Sequence, residues 1–228
     1  MPTRSPRASG YDVARPGIQE DTIVTDYFPG DDRTNYERML AGDFYIADDP
    51  DIGVAVLRAV RLVREYEQAV VADDGTAPAI LADLVGTLGE DVWLKPPLFV
   101  DLGRNIHIGA RTAINSGLTA LDVAAITIGE DCLIGPNVQL LTPTHPVDAQ
   151  RRRDKLEAAE PITLGDNVWL GGGVIVCPGV TIGDNTVVGA GAVVTRDLPA
   201  NVLAVGNPAR VIRELDGTQA GAAAAKPA

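Results

Sequence analysis

The sequence predicts an all-β solenoid closed at its N-terminal end by α-helices, and three observations predict it. Thirteen positions carry a small aliphatic residue on a six-residue clock: Leu102, Ile108, Ile114, Ala120, Ile128, Ile134, Leu140, Leu164, Leu170, Val176, Ile182, Val188 and Val194. Eight are followed directly by Gly, at 103, 109, 129, 135, 165, 171, 183 and 189. Before Pro96-Pro97 the clock is absent, and apolar residues fall at helical spacing instead. A period of six fits neither a helix nor an ordinary strand. It fits a coil in which each hexad forms one flat face and the next turns a corner, three hexads closing a coil. Glycine suits such corners, where a side chain would clash or φ is positive. Unbroken hexads from 164 to 194 set the pattern apart from chance periodicity in a Val- and Ile-rich chain.

Residues 1–33 are rich in Pro, Gly, Asp and Arg without periodicity, which predicts a flexible extension. Residues 34–96 form the helical cap region. Thr34 is a candidate N-cap for a helix presenting Tyr36, Met39 and Leu40 and ending at Gly42. A second helix is predicted over about 51–71, with Ile52, Val56, Ala59, Val60, Val63 and Tyr66 on one face. A third lies near 78–88 with Ile80, Leu81, Leu84 and Leu88. Pro96-Pro97 marks the handover to a β-helix domain over 97–214. Its clock breaks phase twice. Ala120 to Ile128 carries two extra residues around Asp122, and between Leu140 and Leu164 the clock falls on Pro146, Arg152 and Ala158. Arg and Pro cannot fill an aliphatic row, so residues 142–160 must leave the scaffold as an extruded loop, the usual place for function. Residues 215–228 are predicted to be a disordered tail.

The 228 residues carry 19 Lys and Arg against 31 Asp and Glu, a net charge of −12. That balance argues against nucleic acid or an anionic membrane as a partner, though not against a local basic pocket for a phosphorylated co-substrate. No eighteen-residue apolar run and no signal peptide are evident, so no membrane association and a cytoplasmic location are expected. Cys132 and Cys177 lie inside the repeats and are expected to be free thiols. Two histidines, His107 and His145, cannot build a three-histidine zinc site, and no metal is expected.

His107 precedes a clock position on a flat face and points outward, which suits a structural role or a subunit contact. His145 sits between Thr144 and Pro146 in the extruded loop and is the candidate for chemistry. Asn115 stands at a corner where Gly usually follows the aliphatic, and Asp122 lies in the two-residue bulge. Polar residues that break a repeat rule mark candidate sites. A corner Asn tolerating positive φ and a solvated Asp are the plain alternatives. Cys177 replaces a corner Gly but lacks a sequence-evident base.

Together these residues resemble the maltose/galactoside/nodulation O-acetyltransferases. The likeness rests on Asn105-Ile-His-Ile-Gly109, Ile114-Asn115, Leu121-Asp122-Val123, Leu133-Ile-Gly-Pro-Asn-Val138 and Thr144-His-Pro146. It continues through Ile162-Thr-Leu-Gly-Asp-Asn-Val-Trp-Leu-Gly171, Pro178-Gly-Val-Thr-Ile-Gly183, Gly189-Ala-Gly-Ala-Val-Val-Thr195 and Gly206-Asn-Pro-Ala-Arg-Val-Ile-Arg213. The resemblance implies a left-handed parallel β-helix, an exception to the right-handed crossover rule. It also implies a homotrimer with active sites between subunits, and acetyl-CoA as co-substrate. On the same footing His145 is the catalytic base, Asn115 and Asp122 are acceptor-side residues, and Glu157 is a carboxylate of the same loop. Trp169, Gly172, Ala190, Thr195, Arg210 and Arg213 fall on cofactor-contacting positions. The function so implied is acetyl transfer to a hydroxyl of a sugar or sugar-like acceptor. The alternatives are another acyltransferase of this fold, acting on serine or an amino sugar, and a non-catalytic binding solenoid.

The chain departs from the family at the acceptor end. Phe44-Tyr45 is followed by Ile46-Ala47 where a polar residue is usual, Val56 stands where an Arg is common, and Asn115-Ser116-Gly117 replaces Asn-Phe-Asn. Asp48 or Asp49 could stand in for the lost polar group. The departures imply an acceptor other than maltose or a galactoside.

Overall fold

The structure is a computed structural model and describes residues 26–216. The chain divides into two compact units, residues 1–32 and 33–228. Of the first, residues 26–32 are described, a turn in which the Phe28 N–H donates to Asp26 Oδ1 at 2.9 Å. Most of the predicted extension and nearly all of the predicted tail lie outside the described residues.

The second unit is a parallel β-solenoid with a helical cap, as the clock predicts. Sheet 1 stacks Leu98–Val100, Leu118–Leu121, Gln139–Leu141, Ile175–Val176 and Val193–Val194. Sheet 2 stacks Thr87–Leu88, Ile106–Ile108, Ile126–Ile128, Ile162–Leu164 and Thr181–Ile182. Sheet 3 stacks Trp93–Leu94, Ala113–Ile114, Leu133–Ile134, Trp169–Leu170, Val187–Val188 and Val202–Val205, and is closed by the antiparallel strand Arg210–Glu214. All thirteen clock residues are at most 3 % exposed. Outward positions differ by sheet. Sheet 2 shows a polar column, Thr87, His107, Thr127, Thr163 and Thr181. Sheet 3 shows an apolar one, Trp93, Ala113, Leu133, Trp169, Val187 and Leu203.

The solenoid opens earlier than Pro97. Thr87–Leu88 already pairs with His107–Ile108, and Trp93–Leu94 with Ala113–Ile114. The first coil hides from the clock because the corner from sheet 1 to sheet 2 holds two extra residues. That corner spans residues 101–106 and 121–126 in the first two full coils, 141–162 in the third and only 177–180 in the fourth. Leu102 is therefore a bulge residue rather than part of the solenoid row. It joins Met39, Tyr45, Ala55 and Val123 in a second, smaller apolar cluster. Glycine after the clock residue is required by close stacking: a Cβ on Gly109 would lie 2.5 Å from the Gly129 carbonyl carbon.

The cap consists of α1 (Asn35–Leu40), α2 (Pro50–Ala72) and α3 (Ala77–Leu84). Thr34 caps α1 in a capping box with Glu37, the pattern its sequence offers. Gly42 follows in the left-handed region at φ +78°. On α2 the buried face is Ala55, Ala59, Tyr66 and Ala69, while Val60 is exposed. Small residues let the helix lie close, and the Tyr66 hydroxyl donates to the Leu94 carbonyl at 2.5 Å. Between α1 and α2 the short strand Tyr45–Ile46 leaves the cap and pairs antiparallel with Leu156–Ala159 of the extruded loop. That loop is structured: Pro143–Thr144 pairs with Leu156–Ala159, and α4 (Ala149–Arg153) turns between them. No helix among the described residues is long and apolar enough to cross a membrane.

Candidate active site

Two groups of predicted residues emerge, at different corners of the triangular coil. The first lies where sheet 1 passes to sheet 2. Here the loop presents His145, whose side chain is 54 % exposed, with Nδ1 3.8 Å from Glu157 Oε1. That separation suits an ion pair and is too long for a hydrogen bond. The other Glu157 oxygen, Oε2, accepts a 2.7 Å hydrogen bond from the Tyr45 hydroxyl. Tyr45 is only 2 % exposed, and its phenol is pushed upward by burial and then by its Glu157 partner. The loop is held from both ends. Arg152 donates to the Pro146 and Val147 carbonyls, each at 2.9 Å, and Lys155 pairs with Asp48 of the cap at 2.6 Å. Asp148 starts α4 by accepting the Arg151 N–H.

Beneath the loop, Asp122, expected on the acceptor side, turns into the protein. It is fully buried, its Oδ1 accepting the N–H groups of Asp101 and Leu102 and its Oδ2 that of Asn105. Burial raises its carboxyl and these backbone donors oppose the rise. Asp122 thus ties the two-residue bulge of the coil below, as Thr142 ties the next by bonding the Leu121 carbonyl and the Ala124 N–H. Neighbouring Asp101 is pushed up to about 6 by burial, then by Asp122 and Glu157. Sequence reasoning missed Asp101, Arg152 and Lys155, and gave Tyr45 no role. Contacts between residues 45 and 157 leave no local signal.

The second group lies where sheet 3 passes to sheet 1. A groove of about 1130 Å³ runs along the apolar column from Trp93 and takes in Asn115, Trp169, Gly172, Ala190 and Arg213. Asn115 uses its Oδ1 to accept the Ser116 N–H at 2.8 Å, which fixes the corner. Five of the predicted residues therefore share one groove. Thr195 and Arg210 do not line it. Thr195 is exposed just after Val193–Val194, on the His145 corner. Arg210 is exposed on the closing strand, its guanidinium donating to the Ala209 carbonyl. Both cysteines are free, Cys132 buried and Cys177 half-buried. Among the described residues no group of three or more His, Cys, Asp or Glu side chains is placed to hold a metal.

His145 and the groove lie at different corners of the coil within one chain. They occupy opposite edges of sheet 1, a strand width of roughly 10–14 Å apart for strands of three or four residues.

Comparison with known proteins places this arrangement. Residues 38–89 match the maltose acetyltransferase hexapeptide capping motif, residues 161–196 the bacterial transferase hexapeptide (six repeats), and residues 125–140 the hexapeptide repeat of succinyl-transferase. Nodulation protein L of Rhizobium meliloti is 44 % identical over 179 residues, covering 78 % of this chain and 98 % of that protein. The crystal structure of a maltose O-acetyltransferase from Clostridium difficile superposes with a TM-score of 0.79 at 41 % identity, covering 82 % of this chain and all of that one (100 %). A hexapeptide-repeat acetyltransferase from Vibrio cholerae, solved with acetyl coenzyme A, gives a TM-score of 0.74 at 38 % identity, covering 80 % of this chain and 99 % of that one. A capping motif followed by a hexapeptide solenoid, matched over nearly the whole length of such relatives, makes this chain a member of the maltose, galactoside and nodulation acetyltransferases.

Proposed function

We propose that the protein transfers the acetyl group of acetyl-CoA to a hydroxyl of a sugar or sugar-like acceptor, at sites shared between the subunits of a homotrimer. The observation that carries this reading is the separation of His145 from the groove. A base on one edge of sheet 1 and a binding groove on the other become one site only when the loop of one subunit faces the groove of its neighbour. Three-fold closure also removes the Trp93–Leu203 column from water. That column has five rung steps, about 24 Å at strand spacing, enough to seat an extended pantetheine arm. Arg213, in the groove wall, offers charge to the phosphates.

The chemistry follows from the imidazole's surroundings. The Glu157 carboxylate faces Nδ1, and its negative charge favours a proton on that nitrogen, which leaves the lone pair of Nε2 to take the acceptor's proton. An acceptor hydroxyl attacks the thioester carbonyl as Nε2 removes its proton. The tetrahedral oxyanion is held by a backbone N–H near Gly172. Collapse breaks the C–S bond, and the imidazolium returns its proton to the departing CoA thiolate.

For the acceptor, the family departures serve packing. Ala47 and Val56 pack against the second cluster beside Tyr45. Neither Asp replaces the lost group: Asp49 caps α2 and also accepts the Tyr36 N–H, and Asp48 is paired with Lys155. Weak turnover of maltose and galactosides, and better turnover of aryl glycosides, is expected in a side-by-side kcat/KM comparison. The shared site is tested by complementation. His145→Ala and Asn115→Ala should each be nearly inactive, and random mixed trimers should recover about a quarter of wild-type activity, since each half-site is intact half of the time. No recovery in mixed trimers of confirmed composition would overturn the shared site.

A further inference from the structure

The cap makes an unusual reach. Tyr45 and Ile46 leave the space between α1 and α2 to pair with Glu157 and Leu156, more than a hundred residues later (112 for the Tyr45–Glu157 pair). The strand is short, so its two ladder rungs alone hold the loop weakly. What distinguishes it is the end of one side chain. The Tyr45 ring is buried in the second apolar cluster with Met39, Ala55, Leu102 and Val123, apart from the solenoid row. From that fixed base the phenol donates to Glu157 Oε2 at 2.7 Å, while Glu157 Oε1 is the oxygen nearest His145 Nδ1, at 3.8 Å.

A glutamate has three side-chain torsions, and a partly exposed one samples several of their wells. Anchoring one carboxylate oxygen on a buried phenol removes most of that freedom and leaves the second oxygen aimed in one direction. That direction is the ring nitrogen that does not take the acceptor's proton. At 3.8 Å the carboxylate acts on the imidazole by charge and not by a hydrogen bond, favouring the ring orientation and tautomer that put a proton on Nδ1. We propose that Tyr45 is a positioning residue of the transfer site: its hydroxyl holds Glu157 so that the free carboxylate oxygen faces His145, and its effect on turnover passes through Glu157. The proposal rests on His145 acting as the base. It also gives the capping segment a part in the chemistry besides closing the solenoid.

A buried tyrosine could instead serve stability alone, and the test separates the two roles. Acetyl-CoA-dependent thiol release is measured for the full chain and for Tyr45→Phe, Glu157→Gln, the double variant, His145→Ala and Met39→Ala, each with a thermal melt. Tyr45→Phe keeps the ring and deletes one oxygen. It should lower kcat about tenfold with KM for acetyl-CoA unchanged. In the Glu157→Gln background the same change should cost under about twofold, because the route through the carboxylate is already cut. Met39→Ala loosens the same cluster without touching Glu157, and should lower the melting temperature while leaving kcat unchanged. Equal losses from Tyr45→Phe in both backgrounds would overturn the proposal. So would full turnover in Tyr45→Phe, or a tenfold kcat loss in Met39→Ala. If His145→Ala itself keeps full turnover, the base assignment fails and the proposal falls with it. Slow His145→Ala beside a fully active Tyr45→Phe would leave the base standing and remove Tyr45 alone.

Discussion

Two corners of the same coil obey opposite rules. Where sheet 2 passes to sheet 3, successive coils turn alike. A left-handed residue recurs at Asp91, Arg111, Asp131, Asn167 and Asn185, and Asn167, Asn185 and Asn201 bond one to the next down the stack. Arg111 bridges Glu130 and Asp131 there. Where sheet 1 passes to sheet 2, coils differ in length and carry buried or half-buried acids with His145 above them. Regular corners stack identical backbone on identical backbone, which leaves no room for variation. An irregular corner gives up that stacking and must be tied by side chains, as Asp122 and Thr142 tie the bulges. The difference teaches that the corner carrying the proposed base is the one where the repeat has been relaxed and then rebuilt by specific hydrogen bonds.

The largest expected effect comes from the two histidines. His145→Ala should lower kcat by about 10²–10⁴ if it acts as general base. His107 lies on the regular polar column with its Nδ1 3.1 Å from Thr87 Oγ1. His107→Ala should change kcat by less than about twofold, within the range of surface substitutions. Comparable losses from both would erase the functional contrast between the regular and irregular parts.

Next in size is the regular corner itself. Gly109→Ala would push a methyl group onto the Gly129–Glu130 backbone, and neither neighbour can move without shifting the coil above. Overpacking of this kind costs about 1–3 kcal/mol. Gly53 on α2 faces open space, and Gly53→Ala should stabilise by about 0.5–1 kcal/mol through helix propensity. Thermal melts of the two variants should move in opposite directions. A neutral Gly109→Ala would show that the corners are looser than their stacking suggests.

The regular part was legible in the sequence and the irregular part only in outline. A six-residue clock reports the row from Ile108 onward because each turn repeats one steric demand. It misreads Leu102 because an aliphatic residue in a bulge is indistinguishable from one in the row. The clock also misses Leu88 and Leu94, since the two-residue bulge shifts the phase after Val100. His145, Asn115 and Glu157 stood out by composition, loop position and family likeness. Asp122 stood out too, but its burial and its three backbone partners left no trace in the sequence. Nothing local connects Tyr45 to Glu157 or Lys155 to Asp48, because long-range pairing leaves no periodicity.

The smallest expected effect tests the acids under the loop. Asp101 has its carboxyl pushed up to about 6 by burial, with Asp122 and Glu157 adding repulsion. An ordinary Asp in the unfolded chain loses its proton near pH 4. Between roughly pH 4 and 6 the folded state therefore holds a proton the unfolded state has lost. Stability contributed by this group is present below that window and falls as pH rises through it. Above about pH 6 the ionised group weighs fully against folding. Asp101→Asn removes the ionisation, so its benefit should be absent below about pH 4 and complete above about pH 6. Discounted for the side chain's partial exposure, the gain is about 1 kcal/mol, or roughly 2–4 °C for a chain of this length. Melting temperatures at pH 4 and pH 8 for the two proteins give the result directly. A gain equal at both pH values would mean that packing, and not charge crowding, separates Asn from Asp at this corner.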